Sequence, residues 1–102
     1  MIISFIKKFL KKRPYSFLGR GGISFYNGGY QFYIDTNNFL GKNYEVEIFY
    51  KKIQLMDNSF SLTDLEKKQI AFKVKKILEE DNIDVTINPP LSIDFILSTD
   101  DR

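Results

Sequence analysis

Apolar residues along the chain change period several times, and each change marks an element. In MIISFIKKFLKKRP, Ile2, Phe5, Ile6, Phe9 and Leu10 recur at helical spacing, with Lys7, Lys8, Lys11, Lys12 and Arg13 toward the other side. Residues 1–13 therefore read as an amphipathic helix that Pro14 ends. From Ile23 the period shortens to two. ISFYNGGYQFYI folds back on itself if Gly28 and Gly29 form the turn: Asn27 then faces Tyr30, Tyr26 faces Gln31, Phe25 faces Phe32, Ser24 faces Tyr33 and Ile23 faces Ile34. Two glycines accept the positive φ that a type I′ turn demands at both central positions. Ile23, Phe25, Phe32 and Ile34 fall on one face as core, which leaves Ser24, Tyr26, Gln31 and Tyr33 on the other.

DTNNFLGKN, residues 35–43, is rich in turn formers and reads as a connection bent at Gly41. YEVEIFY, residues 44–50, alternates again: Tyr44, Val46, Ile48 and Tyr50 share one face, Glu45, Glu47 and Phe49 the other. Lys51 and Lys52 break the phase before Ile53 and Leu55, predicting a bulge or bend followed by continued extension. In SFSLTDLEKKQIAFKVKKILEEDN, Thr63 and Glu66 have capping-box spacing and Asp64 places negative charge at a helix start. Ile70, Ala71, Val74, Ile77 and Leu78 form its sheet-facing stripe, while Leu65 and Phe72 lie on nearly the opposite side, placed to meet the N-terminal helix or a partner. IDVTIN, residues 83–88, is a strand entered directly from the helix and ended by Pro89 and Pro90. Residues 89–102 add an edge strand or dock extended elsewhere.

The order predicts one domain spanning 1–102, with its core in 16–88, of α+β class: a mainly antiparallel sheet of four to five strands packed against one long helix, plus the N-terminal amphipathic helix. No internal repeat or linker divides the chain.

Composition narrows the chemistry. The 102 residues include neither His nor Cys, which removes the commonest general base, the thiolate nucleophile and zinc sites of the cysteine type. Gly19, Arg20, Gly21 and Gly22 fit neither the dinucleotide fingerprint nor the P-loop, and a strand rather than a helix follows them. Asp35 and Asn37 are followed by Phe39 and Leu40 where a calcium loop needs an oxygen ligand and a glycine. No nucleophile and base pair up, so no enzyme, cofactor or metal is expected.

The net charge of +2 conceals two poles: residues 1–52 carry nine Lys or Arg against three Asp or Glu, and residues 53–102 carry six against ten. Nucleic-acid binding more usually shows a strongly basic whole, and is not expected. The basic helix at 2–13 either lies on an anionic membrane or packs on the domain. Its apolar run is too short to span a bilayer and its charges follow rather than precede it, so a cytoplasmic protein is expected.

GGISFYNGGYQFYID, NYEVEIFYKKIQL and LTDLEKKQIAFKVKKILEEDNIDVTIN together resemble the small immunity proteins of bacterial polymorphic-toxin and contact-dependent inhibition systems, across residues 21–88. The resemblance implies a cytoplasmic protein that protects its producer by binding a cognate toxin domain and blocking its active site or substrate access. Tyr26, Tyr33 and Phe49, with Glu45 and Glu47, are the candidate contact surface, because aromatic and charged anchors concentrate interface energy. Glu79, Glu80, Asp81 and Asp84 are an alternative acidic surface suited to a basic cleft.

Overall fold

A computed structural model describes residues 13–41 and 43–91 of the chain. The expected N-terminal helix, Arg13 apart, and residues 92–102 lie outside these. The described elements are β1 (Tyr15–Phe17), β2 (Ile23–Asn27), β3 (Tyr30–Ile34), β4 (Thr36–Leu40), β5 (Tyr44–Phe49), β6 (Gln54–Leu55), α1 (Asp64–Glu80) and β7 (Asp84–Asn88). The class is α+β, but the strands form two sheets, ordered β1-β2-β3-β6 and β4-β5-β7, where one sheet was expected.

The hairpin has the predicted register, from Ile23 opposite Ile34 to Asn27 opposite Tyr30. Gly28 and Gly29 take φ of 60° and 83°, the left-handed values the tight turn requires. Ile23, Phe25, Phe32 and Ile34 are all buried. The long helix opens with the complete capping box, Thr63 Oγ1 accepting from the Glu66 amide and Glu66 Oε1 from the Thr63 amide. Ile70, Ala71, Val74 and Leu78 join Val46, Ile48 and Ile87 of the second sheet and the hairpin residues in one continuous core.

Three differences create the second sheet. Residues 36–40, expected as a loop, form β4. Their polar side chains are satisfied internally: Thr36 and Asn38 are buried, the Asn38 amide donates to the carbonyls of Gly19 and Gly22 at 2.9 and 3.1 Å, and Thr36 Oγ1 donates to Asn38 Oδ1. Those bonds outweigh the poor strand preference of asparagine. Second, Lys51 and Lys52 lie in a 3-10 turn, Tyr50–Lys52, that takes the chain out of the second sheet; β6 then pairs with β3 in the first, so the expected continued extension is replaced by a change of sheet. Third, β7 runs parallel to β5, because α1 supplies the crossover that a parallel pair needs. Among the described residues no helix is long and apolar enough to cross a membrane.

Candidate functional site

The short passage at Asp35 turns one long strand path into two, β3 in the first sheet and β4 in the second. Tyr33 Oη donates to Asp35 Oδ1 at 3.3 Å, so these alternate residues point to the same side. Burial is the main cause that raises the Tyr33 phenol above its ordinary 10.0, followed by the charge of Asp35 and the hydrogen bond to it. Lys52 Nζ lies 4.0 Å from the other Asp35 oxygen.

Beyond Asp35, strand alternation carries Asn37 and Phe39 onto the outer face of the second sheet, and the pairing fixes what stands beside them. Phe39 is opposite Glu45, and Glu45 is opposite Asp84. Asn37 is opposite Glu47, which is opposite Thr86, and Phe49 is opposite Asn88. Residues paired in this way share a face, so the outer surface is built of short cross-strand rows. Phe39 is 57% exposed at one corner, and Phe49 is half-buried at the other end. The inner face of the same sheet holds Val46, Ile48 and Ile87 in the core, which fixes the register and hence these rows.

The carboxylates on this face differ in freedom. Glu47 is held by both neighbouring strands, Oε1 accepting from the Asn37 amide at 3.4 Å and Oε2 from the Asn88 amide at 3.1 Å. Glu45 and Asp84 are exposed, and among the described residues neither has a cation within salt-bridge distance. Beside Phe39 the surface dips into a hollow lined by Phe17, Arg20 and Asn38, with Arg20 exposed at its rim.

The two surfaces expected from sequence are therefore redistributed. Glu45, Glu47 and Phe49 share one face. Tyr33 approaches its edge through Asp35, whereas Tyr26 is two residues farther along the hairpin, 58% exposed and in the other sheet. Of the alternative acidic set, Asp84 joins Glu45 on the sheet. Asp81 is engaged by Arg13 and by the Tyr15 hydroxyl, Glu79 pairs with Lys75 one helical turn earlier, and Glu80 is exposed at the helix end. Phe39 was missed because its segment read as a loop. Its signal was the alternation of Tyr33, Asp35, Asn37 and Phe39, masked by turn-forming residues.

Among the described residues no group of three or more Asp or Glu is placed to hold a metal ion. The arrangement is an acidic, aromatic-edged sheet face. No family model, curated protein or solved structure matches the chain.

Proposed function

We infer that the chain is an immunity protein that neutralises a toxin domain by steric occlusion, with the outer face of β4, β5 and β7 as its contact surface. The observation that carries this reading is the row Phe39–Glu45–Asp84, in which an exposed aromatic ring adjoins two exposed carboxylates on a backbone fixed by core packing. A preformed surface avoids the ordering cost that weakens flexible binders. Three strands about 4.8 Å apart and three rows about 7 Å apart give a central patch of only about 10 by 14 Å. A standard interface buries roughly 800 Å² per partner. The hollow at Phe17 and Arg20 and the Tyr33–Asp35 edge extend the patch on two sides. In this arrangement Phe39 is the desolvated anchor, while Glu45 and Asp84 set orientation and accelerate encounter with a cationic partner surface.

The test is to clone the open reading frames that neighbour the gene for this chain and to coexpress the chain with any toxic domain they encode. The expected result is a stable complex on gel filtration and restored growth, both lost in Glu45→Lys/Asp84→Lys while Tyr26→Ala leaves them intact. Failure of the wild-type chain to bind that domain, or turnover of a substrate by the chain alone, overturns the reading.

A further inference from the structure

A second surface lies away from the acidic sheet face. A groove of about 440 Å³ runs between the far end of the β2–β3 hairpin and α1. Its floor is apolar, formed by Phe32, Phe60, Ile70 and Phe72. Tyr30 and Phe60 form an edge-to-face pair with ring centroids 5.8 Å apart, yet they remain 50% and 48% exposed. Two large aromatic residues left open beside a hollow make an anchor site rather than a scattered surface apolar position. From Glu66 to Lys76 the groove follows ten residues of helix, about 15 Å at 1.5 Å per residue.

Charge along this groove is mainly positive. Lys73 and Lys76 are exposed on its rim, and neither has an ion-pair partner among the described residues. Lys76 Nζ lies 5.4 Å from the Phe72 ring centroid, which keeps its charge beside the apolar floor. Glu66, the one acidic lining residue, keeps its charge but is drawn to the start of the helix by its bond to the Thr63 amide, about two and three turns from Lys73 and Lys76. Asn27 and Gln69 add no charge.

We propose that this groove docks an acidic peptide segment of a partner protein, whose apolar side chains enter between Phe60 and Phe72 and whose carboxylates face Lys73 and Lys76. A length of 15 Å admits two to three helical turns or four to five extended residues. Apolar anchors supply affinity, and the two ammonium groups choose acidic over basic sequences. The groove is distinct from the sheet face, so this surface does not depend on the toxin reading.

The test is selection of random twelve-residue displayed peptides on the wild-type chain, with counter-selection on Phe60→Ala/Lys73→Glu/Lys76→Glu. All three changed residues are exposed or half-exposed, and circular dichroism confirms the fold of the variant before use. The expected peptides combine two or more apolar anchors with net negative charge. As free labelled peptides they bind wild type at least tenfold more tightly than Lys73→Glu/Lys76→Glu. Enrichment without an acidic excess, unchanged binding to the charge-reversed variant, or no enrichment at all overturns the proposal. Binding that emerges only after residues 92–102 are removed also overturns it, assigning the groove to the chain's own terminus.

Discussion

Glu45 and Asp84 stand directly opposite one another on adjacent parallel strands, two exposed carboxylates in register with no cation near enough to pair with either among the described residues. Like charges in this position destabilise a sheet by a few tenths to about 1 kcal/mol. A fold selected for stability alone would place a lysine in one of the two positions. The conflict is understandable where the face meets a cationic partner that neutralises it on binding.

Asp84→Lys converts the repulsion into a cross-strand pair. It is expected to raise unfolding free energy by about 0.2–1 kcal/mol in urea denaturation. If the chain is the immunity protein we propose, the same change lowers affinity for its toxin domain at least tenfold by calorimetry. Loss of stability would show that the two carboxylates do not repel across the strands, and unchanged affinity would remove Asp84 from the interface.

Asn38→Ala tests why β4 exists. Asn38 is 7% exposed, and its side chain donates to two carbonyls while accepting from Thr36. Removing it takes the acceptor from the buried Thr36 hydroxyl and leaves the Gly22 carbonyl with the Leu18 amide as its remaining donor, for an expected loss of about 1–3 kcal/mol. Asn37→Ala, one residue away on the exposed face, is expected to change stability by less than about 0.5 kcal/mol. Equal effects at the two positions would mean that the buried network does not hold the strand.

The contrast between these asparagines explains what the sequence could and could not disclose. The hairpin was legible because its two glycines and mirrored apolar pairs act locally, and the helix because Thr63, Glu66 and the stripe at 70, 71, 74 and 78 all lie within one segment. β4 was not legible, since its stability comes from Gly19 and Gly22, some nineteen and sixteen residues from Asn38. The exchange of sheets at Tyr50–Lys52 was equally hidden: broken alternation announces a bend but not which neighbour the next strand joins. For the same reason Glu45, Glu47 and Phe49 could be grouped from one strand, whereas Asp84 reached them only through a pairing across the crossover.

Gly22→Ala separates two causes of strain. Gly22 has φ of +98°, and an added Cβ would lie 2.9 Å from the Tyr33 ring. The ring is the movable end of a side chain, whereas the backbone angle is fixed by Gly22 donating to Thr36 and its carbonyl accepting from Asn38. Backbone strain is therefore expected to dominate, costing about 1–3 kcal/mol. Placing Gly22→Ala in a Tyr33→Ala background should retain most of that loss. Full recovery there would identify the ring contact as the cause instead.

Alkaline pH probes the two anchored tyrosines. Tyr15 and Tyr33 both ionise above the ordinary phenol value of 10.0, chiefly through burial; Arg13 opposes the shift at Tyr15, and Asp35 reinforces it at Tyr33. Unfolded phenols therefore lose their protons first, the native state binds more protons in that interval, and stability must fall as pH rises. These groups contribute fully below about pH 10, and their contribution disappears as pH passes the raised native values. Urea unfolding from about pH 8 to about pH 11 should show a shallower decline in Tyr15→Phe/Tyr33→Phe than in wild type, since lysine titration is common to both. The variant should begin lower at pH 8, having lost the hydroxyl bonds to Asp81 and Asp35. Parallel curves across the whole range would mean that neither phenol couples its proton to folding.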